Sequence, residues 1–518
     1  MASLVRMSLL PLRHPGPLLA ALLALGLTVT SGSVRGADQP QWGHAWDRNL
    51  ISPERGLPTT FNPTNGLNLA WSAELGTETY SSPIVAGGRV YIGTNNEHPR
   101  DPNRTGDRGV LLCLDEQDGH LLWQHAVPKR ELDPYYDWPK TGLSSPVTVE
   151  GHRVYLVNNR GEVVCLDDRG MANGNDGPFR DEGTYLQPRK PDGTQTASAV
   201  GPLDADMLWV YDLTREAGIW SHDGAHASIL IDGDFLYLNT STGVDNTHRV
   251  IRTPDAPSLV VLNKHTGRLV AREREGIAPN VFHCTWSSPA LGRVGGHNTL
   301  VFAAGNGFLY GFEPLSRQPA DGKVATLRKL WQVEFDAEHP AGDIHTFLSN
   351  RRESPSNIYG MPVLQDGRIF VAGGGDWFWG KNQSWLKCFS MSTQRGDQAP
   401  VAEWSASIGR HTMATPSLSG GRAYVTDSEY ALHCIDTKNG ARLWRHELGG
   451  EMWASALVAD GKVYVGTRRG GFWVFRDAPT PEVLGHVELG TPINSTVTAA
   501  NGTLFITTMN RIYAVRTR

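Results

Sequence analysis

One phrase recurs along this 518-residue chain and limits its fold more than any other feature: a small polar pair, often followed by Pro, then an apolar strand, a Gly turn, a second strand, a third ending in Asp, another Gly turn, and Trp. It is clearest in Ser81-Ser82-Pro83, Gly87-Gly88, Val90 to Gly93, Cys113-Leu114-Asp115, Gly119 and Trp123. It returns at Ser144-Ser145-Pro146 to Trp209, Ser287-Ser288-Pro289 to Trp331, Met361-Pro362 to Trp404 and Thr415-Pro416 to Trp444. Weaker copies run from Ala227-Ser228 to Ala271 and from Ala454-Ser455 to about His486, and the last begins at Ile493-Asn494-Ser495. Short alternating strands punctuated by Gly turns make a four-stranded antiparallel blade. The 57 Gly, 32 Pro and 16 Trp fit such a chain, and no long stretch of helical periodicity competes with it.

The last copy supplies three strands only, ending in Arg511 to Val515. A lone fourth-strand phrase, Leu69-Ala70-Trp71-Ser72, precedes the first full copy. Pairing the two closes a ring and removes its exposed edges. The expected fold class is therefore all-β: an eight-bladed β-propeller of four-stranded antiparallel blades, closed by an N-terminal strand.

Ahead of the repeats, Arg6 and Arg13 precede an apolar run from about Leu18 to Val29 and a small-residue stretch from Ser31 to Gly36, the order of a secretory signal peptide. The organisation expected is a leader over 1–36, an N-terminal extension over 37–68 and a single propeller over 69–518, in an exported protein, periplasmic or extracellular. The apolar run is short for a bilayer span, and no Cys near the cleavage point offers itself for lipidation, so no retained membrane anchor is expected. With 48 basic against 53 acidic residues, and three of the arginines in the leader, the chain makes a poor nucleic-acid ligand.

The repeat, with Trp71, Trp123, Trp209, Trp331, Trp404 and Trp444 at one place in their copies, resembles the pyrroloquinoline quinone (PQQ) repeat propellers. That group includes PQQ-dependent alcohol dehydrogenases and BamB-type outer-membrane assembly proteins. The resemblance covers about Leu69 to the end and implies the ring, while leaving open what the ring holds.

Residues that recur at one repeat position are packing. This covers the six Trp, the strand-ending Asp115, Asp167 and Asp436, and Cys113, Cys165, Cys388 and Cys434, which sit in third strands of different blades. Cys284 alone falls outside that register, and no disulfide framework is expected.

In a propeller the loops between second and third strands share a face with the links between blades. Most long insertions fall in this set: Thr94 to Gly109, Val127 to Gly142, Ser241 to Pro257, Phe335 to Ile358 and Gly373 to Ser384. On the other face only Arg169 to Asp206 is very long. Long loops over a rigid scaffold are where binding happens.

The residues entering each innermost strand ring the channel mouth on the elaborated face: Tyr80, Trp138, Lys140, His222, Asp223, His226, His283, Cys284, Trp286, Asn357, Tyr359, His411, Met413, Met452 and Trp453. His222, His226, His283, Cys284 and His411 make a candidate transition-metal set, since imidazole and thiolate suit such ions; the alternative is that the histidines satisfy backbone groups at a crowded mouth. Arg352, Trp377, Lys381, Trp286 and Trp453 are candidates for a bound cofactor or ring-shaped ligand, the cations for carboxylates and the indoles for stacking. Gly174-Asn175-Asp176-Gly177 lacks the alternating acids of a calcium loop and reads as a turn.

Two functional readings follow. The first is a propeller that binds a small molecule, glycan or protein on its elaborated face without catalysis. The second is a dehydrogenase using PQQ and calcium to oxidise an alcohol or sugar, as the resemblance implies. The chain lacks the adjacent Cys pair common in those enzymes and any Cys-x-x-Cys-His haem attachment, so electrons would need an outside acceptor.

Overall fold

The computed structural model describes residues 36–130, 135–189, 194–224, 226–320, 322–338, 340, 342–391 and 398–517; all of the leader except its last residue lies outside them. Eight antiparallel sheets follow one another around a channel. Blade 1 is Ile84–Ala86, Arg89–Asn95, Arg108–Asp115 and Leu121–Pro128. Blades 2 to 7 occupy 148–212, 230–272, 290–334, 356–409, 417–447 and 457–488. Blade 8 combines Thr498–Ala500, Thr503–Thr507 and Arg511–Val515 with Leu69–Glu74, which pairs antiparallel to the last strand with Trp71 opposite Ala514. The N-terminal strand closes the ring.

The recurring Trp has one physical role at five of the junctions; the sixth, Trp331, has an indole N–H without a hydrogen-bond partner among the described residues. A bulge just before it turns its indole toward the next blade, as at Leu208 in blade 2 and Leu443 in blade 6. The indole N–H then donates to the carbonyl just past the neighbour's third strand: Trp71 to Glu116 (2.9 Å), Trp123 to Asp168 (2.8 Å), Trp209 to Lys264 (3.2 Å), Trp404 to Thr437 (3.1 Å) and Trp444 to Ala478 (3.0 Å). The ring lies flat on a glycine of that neighbour. A Cβ on Gly119, Gly267 or Gly440, all at positive φ, would fall 2.4–2.6 Å from indole carbon. Across the ladder the Trp needs a small partner, which explains the third-strand cysteines: Cys113, Cys165, Cys388 and Cys434 face Trp123, Trp209, Trp404 and Trp444. All five cysteines are buried and free.

The small polar pair also has a role. Its hydroxyls accept backbone N–H groups from the preceding blade, as Ser288 does from Ser228, Thr415 from Met361, Ser455 from Thr415, Thr496 from Ser455 and Ser82 from Thr496. This girdle satisfies the backbone where the strands converge on the channel.

The extension over 37–68 does more than lead to the closing strand. Its first part crosses the end of the channel and bonds to the second residue of the innermost strand of every blade in turn. Gln39 exchanges bonds with Val85, Pro40 accepts from Val149, the Trp46 indole donates to Ile231 and the Trp46 carbonyl accepts from Leu291. Asp47 accepts from Leu364, Asn49 pairs with Leu418 through its side chain, Leu50 accepts from Val458 and Ser52 donates to Ala499. Innermost strands are sheet edges with unpaired backbone groups, and this segment pairs them. At its centre the fully buried Arg48 guanidinium donates to the carbonyls of Trp42, Ser228 and Pro289 and to the Ser228 hydroxyl. The channel is plugged at this end. Among the described residues no helix is long and apolar enough to cross a membrane.

Candidate functional site

The plug turns the channel into a blind well opening on the elaborated face. Its cavity is about 460 Å³, within the range of small-molecule sites. Trp42 of the plug forms its floor, Tyr80, Trp286, Tyr359 and Trp453 its walls, and Tyr135, Trp138, His248, Phe378 and Trp379 its rim. Tyr80 stacks on Trp453, which also meets the Arg468 guanidinium 3.8 Å from its ring centre.

Two histidines stand side by side, His283 on the wall and His222 buried behind it, because three stretches of backbone run together there. The Ser241–Asp245 segment lies between the stretches carrying His222 and His283, with Gly243 N donating to Trp220, His222 N to Ser241, Val244 N to His283 and Thr285 N to Thr242. Gly243 permits the approach: a Cβ there would lie 2.5 Å from His222 Cβ and 2.6 Å from the His283 carbonyl. The imidazole Nε2 atoms end 3.0 Å apart. His222 Nδ1 donates to the Val244 carbonyl at 2.6 Å, and His283 Nδ1 to Asp376 Oδ2 at 2.9 Å. Asp376, fully buried, also accepts from the Tyr359 hydroxyl and from Trp379 N. His248 joins from the rim, and one ring nitrogen from each of His222, His248 and His283 lies within 4.8 Å of the others. Asp223 completes the group, 3.5 Å from His222 Nε2, with a buried Oδ1 that has no hydrogen-bond partner among the described residues.

Electrostatics sort these groups. Burial and the neighbouring His283 push His222 well below the usual histidine value. Burial opposes charge on His283 too, but the Asp376 carboxylate outweighs it and raises His283. Burial also lifts Asp223 to about 6, against the pull of His283. At 3.0 Å the two Nε2 atoms are at hydrogen-bond distance.

Of the residues singled out from sequence, His222 and His283 come together. His226 lines the well deeper down, its ring 4.4 Å from Trp286. His411 packs at the edge of Trp377 instead. The Cys284 thiol is buried and held well above its usual value by that burial. His226, Cys284 and His411 are therefore not in the cluster, and their places are taken by His248 and Asp223. Among the cofactor candidates, Trp286 and Trp453 line the well, Lys381 is buried in an ion pair with Asp336, Trp377 sits behind the rim and Arg352 is exposed. The arginine that matters locally is Arg351, which donates to the carbonyls of Trp377, Phe378 and Gly380 and so fixes the rim loop. His248 had no signal of its own, since it stands mid-insertion and reaches the cluster through a backbone at φ 57°.

The ring, its Trp-on-Gly junctions and its strand-donating closure make an eight-bladed propeller similar to those built of PQQ-type repeats. The family model described as outer membrane protein assembly factor BamB matches residues 107–172 and 393–479. BamB from Moraxella catarrhalis superposes with a TM-score of 0.53 at 13% identity, covering 86% of this chain and 98% of that one, a likeness of fold. A europium-containing methanol dehydrogenase (TM-score 0.45, 13% identity, 92% and 98% covered) and the quinohemoprotein alcohol dehydrogenase of Comamonas testosteroni (0.44, 14%, 92% and 80%) are more distant. No curated protein matches this chain.

The quinone for which the repeat is named carries three carboxylates and is held with calcium, so its site wants cations and hard oxygen ligands. Among the described residues lining the well there is no Lys or Arg, and Asp223 is the sole carboxylate. That lining does not fit PQQ with calcium.

Proposed function

We propose that this chain is an exported propeller that binds a small ring-shaped ligand, aromatic or sugar, in the aromatic well, in contact with a transition-metal ion held by His222, His248 and His283 with Asp223 beside it. The observation that carries the reading is the pair of Nε2 atoms 3.0 Å apart, each ring anchored through its Nδ1 to a carbonyl or a carboxylate. Metal-bound histidines are oriented in this way by outer-shell acceptors, and zinc–nitrogen bonds of ~2.0–2.1 Å at a tetrahedral angle put two nitrogens ~3.3 Å apart. The ion would replace the Nε2–Nε2 contact and keep a coordination position open to the well, where the ligand's donor atom would bind. Export rests on the leader, and the reading includes no retained membrane anchor. A glycan chain or a protein loop entering the well would use the same aromatic walls. The lining argues against the quinone-dependent dehydrogenase.

The test is metal uptake by the purified chain. After chelation and dialysis against Zn²⁺ or Co²⁺, one equivalent should remain bound, the Co²⁺ form showing tetrahedral absorption bands, and His283→Ala should weaken binding by about 100-fold or more. No stoichiometric uptake, together with saturable calcium-dependent binding of PQQ, would overturn the proposal and restore the dehydrogenase.

A further inference from the structure

The one long loop on the opposite face, 169–206 in blade 2, brings together acids that are distant in sequence. Asp167 ends the third strand, Glu162–Asp167, at the face away from the well, and Asp206 precedes the fourth, Met207–Asp212. The loop folds back so that Asp176 N donates to Asp206 Oδ2 at 2.8 Å. One carboxylate oxygen from each of Asp167, Asp176 and Asp206 then lies within 4.8 Å of the others.

Asp206 is fully buried, and its Oδ1 has no hydrogen-bond partner among the described residues. Glu182, 1% exposed, stands behind it, held by the Asn175 amide at 2.8 Å. Arg169 answers part of this charge, donating to Asp167 at 3.3 and 3.4 Å. Arg180 donates through Nη1 to the Asn175 side chain and to the carbonyls of Asn175 and Asp176, and among the described residues it forms no ion pair with these acids. Among the described residues, three buried carboxylates and one at the surface thus have one paired guanidinium, that of Arg169, and burying carboxylates without matching positive charge is strongly unfavourable.

We propose that Asp167, Asp176 and Asp206, backed by Glu182, bind a hard divalent cation of the calcium class, tying the 169–206 loop to the blade. An all-oxygen donor set selects such an ion over the transition metals suited to imidazoles. Asp176 is exposed and gives the ion its way in. The turn at Gly174 to Gly177 has too few acids to be a calcium loop by itself, and the missing ones come from the strand ends.

Calcium titrated into the chelator-treated chain should raise its melting temperature saturably and protect the 169–206 loop from protease. The same rise should appear in the His222→Ala/His283→Ala variant, which separates this site from the well. Asp206→Asn should abolish the rise or weaken binding at least tenfold, while melting no lower than the parent without calcium, because it removes a buried charge. If Asp206→Asn does not fold, the exposed Asp176→Asn carries the test, with a tenfold loss expected. No response to millimolar Ca²⁺, Mg²⁺ or Mn²⁺, or a response that survives both substitutions, would overturn the proposal.

Discussion

Replacing Trp71 by Ala tests whether the strand donated from the N-terminus is a full member of the ring. The indole is 8% exposed, tilts against Phe505 with centroids 6.0 Å apart, covers Gly119 of blade 1 and donates to Glu116. A buried Trp removes ~150–250 Å² from water, worth ~4–6 kcal/mol at 25 cal/mol/Å². Compact unfolded chains lower that figure, and large-to-small Trp substitutions cost ~3–5 kcal/mol. The lost hydrogen bond to Glu116 contributes about 1 kcal/mol within this range. Equilibrium urea unfolding, followed by far-UV circular dichroism, gives the difference directly. Trp404→Ala, in a blade built from one continuous stretch, is the matched control and should cost a similar amount. If Trp71→Ala cost less than ~1 kcal/mol while Trp404→Ala cost several, residues 69–74 would not be closing the ring.

Two further outcomes follow from the plug and from a buried histidine. Arg48→Ala leaves three carbonyls and a hydroxyl without their donor inside the channel and should cost ~3–5 kcal/mol in urea unfolding, with faster proteolysis of residues 37–54; an unchanged midpoint would mean that the plug contributes nothing. His125 is buried against Tyr185, and burial, with Arg160 adding to it, pushes its value down to about 3. Below about pH 6.5 the unfolded chain therefore takes up a proton that the folded chain refuses until about pH 3, and stability falls with pH across that window by up to ~1.4 kcal/mol per unit. His125→Phe should flatten the pH 7 to pH 4.5 stability difference by that share, and an unaltered slope would show that His125 does not carry it.

The ring was legible because its parts repeat. A Trp that must lie on the next blade, a glycine beneath it and a small residue across from it recur at fixed spacing, so chemistry that occurs once per blade is written about once per copy. The same logic set the third-strand cysteines apart as packing, although the reason for their size, a Trp directly opposite, appears only once the strands are paired. The plug left no such trace. It meets each blade once, mostly through backbone groups, so residues 39–52 need no pattern of their own to make these contacts. Their identity matters mainly at Arg48, Trp46 and Asn49.

The site shows the opposite difficulty. His222 and His283 could be placed at the mouth because both enter innermost strands, a position fixed by the repeat. What makes them a pair is Gly243, whose missing side chain lets the intervening strand draw them together, and Asp376, which reaches His283 from a rim loop two blades' length away in sequence. Loop residues of this kind have no register, and for the same reason the mouth set admitted His226, Cys284 and His411, which share the strand-entry position but lie outside the cluster, His226 deeper in the same well. The acid cluster follows the same rule on the far face. Asp167 recurs with Asp115 and Asp436 and so resembled a turn residue, while the acids that give it a second role arrive through a loop found in blade 2 alone. In a repeat fold the scaffold residues are those that repeat, and a site is built where one copy departs from the pattern. The departures to pursue are therefore the insertions 241–257, 373–384 and 169–206, each of which carries an acid or a histidine into contact with a residue the repeat had already placed.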